Sequence, residues 1–140
     1  MSAAHWEHFP HDADIGIRGY GNSVAQAFEQ TALALSAVIT DITTIVPHTA
    51  VDISASAADH ELLLVDWLNA LIYEMAVHKW LFSRFAVRID GEALHATAWG
   101  EHVDPARHQP AVEVKGATYT ELRVAQDKDG LWMAQCIVDV

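Results

Sequence analysis

The sequence predicts an α+β fold: two helices packed on a mainly antiparallel or mixed β-sheet of about six strands. Three observations predict it. Two segments carry apolar residues at helical spacing, several short segments alternate apolar with polar residues, and turn residues join most of those segments as hairpins. The regular strand–helix alternation of a doubly wound sheet is missing. At 140 residues the chain holds one core, so residues 1–140 form a single domain.

The elements follow in order. From Asp14 to Tyr20, Ile15 and Ile17 alternate with Gly16 and Arg18, which predicts a first strand. Gly19-Tyr20-Gly21-Asn22 turns the chain, and Ser23 with Gln26 three positions on is a capping-box pattern. The helix it opens places Val24, Ala27, Phe28, Thr31, Leu35 and Val38 on one face, and the pattern breaks from Asp41 to Pro47. Val51, Ile53 and Ala55 alternate with Asp52 and Ser54 as a strand with one wet face. Asp59 is an N-cap for a longer helix, about residues 60–79, with Leu64, Val65, Leu68, Leu71, Ile72 and Met75 as its apolar stripe. Asp66, Asn69 and Tyr73 fall on its far side.

Phe85, Val87 and Ile89 make another strand, and Asp90-Gly91 is a tight-turn dipeptide, so residues 94–99 fold back as a hairpin. Val112 to Lys115 opens a strand region that runs through Tyr119, Leu122 and Val124. Asp127-Lys128-Asp129-Gly130 is a turn, and residues 131–138 close the sheet.

Composition narrows the function. Eight Lys and Arg stand against 19 Asp and Glu, a formal net charge of −11. Affinity for nucleic-acid phosphates comes from cationic side chains that displace counterions, so direct nucleic-acid binding is not expected. The one cysteine, Cys136, lies in an apolar run and reads as a small buried hydrophobe. The first seven residues lack the basic start and apolar stretch of a signal peptide, and no run is long enough to span a bilayer. The expectation is a soluble cytoplasmic protein with no membrane partner.

Two clusters could carry chemistry. His5, His8 and His11, followed by Asp12 and Asp14, have the density of a zinc site. Pro10 argues against the helix that would align the three imidazoles; in an extended segment His5 and His11 share one face and His8 takes the other. The second cluster joins the two ends of the chain. Asp14 opens a strand, Asp139 follows apolar Ile137 and Val138, and the main-chain carboxylate of Val140 lies beside it. If those strands meet, up to three anionic groups converge, and oxygen donors of that kind suit calcium or magnesium. Lys115, beside Glu113, is notable in a chain with few cations. Phosphate loops, dinucleotide fingerprints and nucleophile elbows are missing. Trp80 and Trp99 read as packing residues.

At His11-Asp12-Ala13-Asp14-Ile15-Gly16-Ile17 the sequence resembles the archease family, which opens with a His-Thr-Ala-Asp signature on a strand. Trp6-Glu7-His8-Phe9, Arg18-Gly19-Tyr20-Gly21, Ala27-Phe28-Glu29 and Thr40-Asp41 extend the resemblance, as does Leu62 to Leu71. So do Gly100-Glu101, His108, Glu113-Val114-Lys115-Gly116-Ala117-Thr118-Tyr119 and the closing Trp132 to Val140. The matches cover nearly the whole chain in order.

The resemblance implies a protein cofactor rather than an enzyme. Archeases promote guanylylation and multiple turnover of an RtcB-type RNA ligase in tRNA splicing and RNA repair, and can broaden its nucleotide use. It also implies a divalent cation, calcium foremost with magnesium as the alternative, held by Asp14, Asp139 and Val140. Asp12, Asp41, Glu113 and Lys115 are candidates for supporting that site or touching the ligase. The sequence departs from the family pattern at Asp12, where the signature has threonine, at Arg107, where lysine is common, and at Gly116, where alanine is common. Two rival readings are a metal-dependent phosphohydrolase using the Asp14/Asp139 cation and a chaperone-like interaction module.

Overall fold

The computed structural model describes residues 4–140. The part of the N-terminal reading that falls on residues 1–3 lies outside them.

Eight strands and three helices occur among the described residues: β1 His5–His11, β2 Asp14–Gly21, α1 Val24–Ile39, β3 Thr49–Ser56, α2 His60–Val77, β4 Trp80–Asp90, β5 Ala93–His102, α3 Pro105–His108, β6 Gly116–Ala117, β7 Arg123–Gln126 and β8 Trp132–Asp139. They form two antiparallel sheets rather than one. The larger has the order β1-β2-β8-β6, with β7 also pairing along β8; the smaller has the order β3-β5-β4. Both long helices contact strands of both sheets, so the α+β class holds and the helices are shared by the two layers.

Local sequence explains most boundaries. The Ser23 hydroxyl accepts the Gln26 N–H at the start of α1, and the Gln26 side chain reaches back to the Asn22 N–H, the reciprocal logic of a capping box. Asp59 caps α2 through the Leu62 N–H. Gly91, at φ +61, supplies the left-handed turn residue of the β4–β5 hairpin. Asp41 stops the chain after α1 by capping a short 3-10 turn, Ile42–Thr44.

Three readings are corrected. The strand starting at Asp14 is the second, because residues 5–11 already form β1, a strand whose His-rich and Pro-containing sequence shows no apolar alternation. Residues 112–115 are irregular, and the strand read through residue 124 reduces to the short β6 and β7. Pro at the first position, Asp104 as cap and a left-handed Gln109 at the end make α3, a helix too short for a periodic signal.

The core is built from Ile17, Phe28, Leu35, Leu64, Trp67, Leu68, Phe82, Leu94 and Val138, all fully buried. Trp67 belongs to the stripe of α2 and ties the helices together, its indole N–H donating to the Phe28 carbonyl at 3.2 Å. The polar face of α2 is also engaged. Asn69 accepts the Ala117 N–H and Glu61 the Val124 N–H, so α2 holds the outer edges of β6 and β7.

Candidate functional site

Antiparallel pairing decides what meets Asp14. The β2–β8 ladder ends with Ile15 facing Val138, so Asp14 and Asp139 are the next residues along the two antiparallel strands. His11 faces Asp14 across the β1–β2 hairpin, and Gly116 faces Asp139 across β6. One row therefore reads His11, Asp14, Asp139, Gly116.

Parity fixes its side. Gly19 lies against Ala27 and Thr31 of α1, so Asp14, Gly16, Arg18 and Tyr20 face away from the helices. The acid row is at one end of the outer face of the larger sheet.

Carboxylates directly opposite each other on adjacent strands repel. Among the described residues neither Asp14 nor Asp139 has a cationic partner, and a cation would relieve that repulsion. The donor chemistry suits a hard ion: two carboxylates on a partly exposed edge. His11 Nδ1, in the same row, is buried without a hydrogen-bond partner. No group of three or more His, Cys, Asp or Glu side chains converges among the described residues, so this is an open two-carboxylate edge rather than a closed cage.

The other candidate residues are distributed around this row. Lys115 donates its main-chain N–H to the Asp139 carbonyl at 2.7 Å and presents an exposed side chain. Glu113 is exposed two residues before it. Asp12 is exposed in the β1–β2 turn at φ +51, a conformation that Asp tolerates better than most residues. Asp41 is turned to local work: its carboxylate accepts from the Thr43 N–H and hydroxyl, and the hydroxyl bond above all lowers its pKa. The three β1 histidines do not gather. His8 points inward to the Ala34 carbonyl at 2.8 Å, His5 stacks on Tyr20, and His11 joins the acid row. Cys136 is fully buried, and burial pushes its thiol up to about 12.

A second polar cluster holds the segment leading to Lys115. Glu101, at the end of β5, receives both terminal nitrogens of Arg107 at 2.6 and 2.8 Å and the Val46 N–H at 2.7 Å. His108 Nε2 is 3.0 Å from the same carboxylate, and His108 Nδ1 accepts the Asp104 N–H at 2.8 Å. Nδ1 is thus the acceptor, which leaves the proton on Nε2 to donate to Glu101. Arg107 first, then Val46 and His108, hold the Glu101 carboxyl well below the usual carboxylate range. Thr40 donates its hydroxyl to the His108 carbonyl, and Ala111 donates its N–H to the Ile39 carbonyl. The end of α1 and residues 103–111 are thereby fastened together. Neither composition nor periodicity points to this cluster, and the resemblance at Gly100-Glu101 and His108 does not say that they meet.

Fold and site define a small α+β domain with an acidic edge where its first hairpin meets its last strand. The model of the Archease protein family (MTH1598/TM1083) matches residues 6–140. The archease of Pyrococcus furiosus is 42% identical over 139 residues, spanning 96% of this chain and 98% of the relative. That of Sulfurisphaera tokodaii is 36% identical over 137 residues, with the same coverage. The solution structure of Methanobacterium thermoautotrophicum protein 1598 superposes with a TM-score of 0.82 at 33% identity, covering 96% of this chain and 98% of that one. The chain belongs to the archease family.

Proposed function

We propose that this protein is a cofactor of an RtcB-type RNA ligase, promoting guanylylation and repeated turnover of the ligase in tRNA splicing and RNA repair. Family membership supports the partner class. The observation that supports the site is the antiparallel β2–β8 ladder, which ends at Ile15 and Val138, one residue short of Asp14 and Asp139. In this reading Asp14, Asp139 and the main chain of Val140 hold a divalent cation, calcium foremost, in the cell. A cation held there by Asp14 and Asp139 would supply a fixed positive charge that attracts oxygen ligands of the partner.

The chain's own residues do the rest. Asn69 and the Asp139 carbonyl fix the backbone on either side of Gly116, so Lys115 and Glu113 stand in set positions beside the acid row. Lys115 is a mobile point charge suited to a carboxylate or phosphate of the partner. The net charge of −11 steers the domain toward a basic RNA-binding surface and accelerates encounter at low salt. Among the described residues no helix is long and apolar enough to cross a membrane.

The test is ligase guanylylation by purified components. Asp14→Ala and Asp139→Ala each abolish stimulation while leaving the fold intact, and both lower calcium affinity in calorimetry. Undiminished stimulation by both aspartate variants would overturn the site. Phosphate-ester hydrolysis by the protein alone would replace the proposal with the hydrolase reading.

A further inference from the structure

The outer face of the larger sheet continues beyond the acid row, and its far half has a different chemistry. The β-ladders place Glu7, Arg18, Gln135 and Arg123 in one cross-strand row, and His5, Tyr20, Met133 and Ala125 in the next but one position along the strands. Arg18, Tyr20, Arg123, Ala125, Met133 and Gln135 line a shallow cavity of about 400 Å³ there, rimmed by Gln126, Asp127 and Leu131.

Arg18 is held rigidly. Its Nε donates to Gln135 Oε1 at 2.8 Å, its Nη1 to Glu7 at 2.7 Å, and its guanidinium lies 4.3 Å over the Phe9 ring. Gln135 is itself tied to the Glu121 carbonyl. The fork is thereby fixed in place beside the Tyr20 hydroxyl, with which Arg18 also interacts. Arg123 is exposed on β7, and among the described residues its guanidinium is in none of the ion pairs. The two arginine backbones are two strand spacings apart, about 10 Å, a gap that the long exposed Arg123 side chain can span toward the fixed Arg18.

The two acids beside the cavity, Glu7 and Asp127, are already engaged. Glu7 accepts from Arg18 and Tyr20, and Asp127 accepts the Asp129 and Leu131 N–H groups of its own turn. Beside the arginines Tyr20 stacks on His5, with ring centroids 4.4 Å apart, and Met133, Leu131 and Ala125 give an apolar floor. An arginine pair next to an aromatic and apolar floor matches a phosphate joined to a flat aromatic group.

We propose that this cavity binds a free mononucleotide, with the phosphate on Arg18 and Arg123 and the base against Tyr20 and Met133. A strand of RNA is the poorer occupant. Two cations suffice for one phosphate, whereas a polyanion meets the remaining charge of this −11 chain. The site is independent of the ligase reading, since Asp14 lies four residues along β2 from Arg18, about 13 Å away.

The probe is guanosine 5′-monophosphate titrated into the isotopically labelled full chain, with amide shifts followed by NMR. Millimolar nucleotide shifts the amides of Tyr20, Arg123 and Met133, and Arg123→Ala, an exposed change that spares the core, weakens binding about tenfold. Asp14→Ala leaves the affinity unchanged, so the failure of one proposal is distinguishable from failure of the other. Guanosine and inorganic phosphate each bind more weakly than the nucleotide. No shift in these amides, equal affinity in Arg123→Ala, or a response to an RNA octamer or phosphotyrosine without one to the mononucleotide overturns the assignment.

Discussion

Glu101 offers a direct test of how residues 103–115 are held. Its side chain is 10% exposed and that of His108 is 0% exposed, so the His108 Nε2–H has only this carboxylate to donate to. Glu101→Ala leaves that donor buried and unpaired, at about 1–3 kcal/mol. It also removes the acceptor of the Val46 N–H, which adds roughly 1 kcal/mol because Val46 lies at the surface and water recovers part of the loss. Arg107 is 43% exposed, so its share is discounted toward the small value of a surface ion pair. The expected destabilisation is about 2–4 kcal/mol, a fall in Tm of about 6–12 °C at roughly 3 °C per kcal/mol for a chain of this length.

Acid provides the control. The folded-state pKa of Glu101 lies below its ordinary value of 4.5, so the stability it contributes is present above that pH and is lost as pH falls toward the folded-state value. Urea denaturation at pH 7 and pH 3.5 should therefore show the gap between the parent and Glu101→Ala narrowing in acid. A loss below about 0.5 kcal/mol at pH 7, or a gap of the same size at both pH values, would refute the reasoning.

Two further outcomes follow from packing. At Gly100 a Cβ would sit 1.8 Å from the Leu81 carbonyl oxygen, a backbone atom that cannot step aside, so Gly100→Ala forces the β4–β5 hairpin apart. A cost above about 3 kcal/mol, or failure to accumulate folded protein, is expected in urea denaturation and expression trials. Cys136, buried and with its thiol pushed up to about 12, stays unreactive toward a disulfide reagent in the native protein and reacts stoichiometrically once urea unfolds it.

Sequence by itself determined the elements whose cause is local. Helical spacing from Val24 to Val38, the Ser23 and Asp59 caps and the Asp90-Gly91 turn each act within a few residues, and each appears in the fold as read. The position of Asp14 at a strand start and of Asp139 at a strand end was legible too, as was the division of His5 and His11 from His8 on an extended chain. Tertiary structure alone decided the rest. β1 exists because its backbone pairs with β2 and not because its side chains alternate. Asn69, which the spacing places on the far side of α2 from its apolar stripe, holds β6 in place. The nearness of Asp14 to Asp139, the row of Arg18 with Arg123 and the enclosure of Glu101 join residues far apart along the chain. Register across strands sets such meetings, and a one-residue slip would carry every side chain to the opposite face, so only the assembled ladders could fix them.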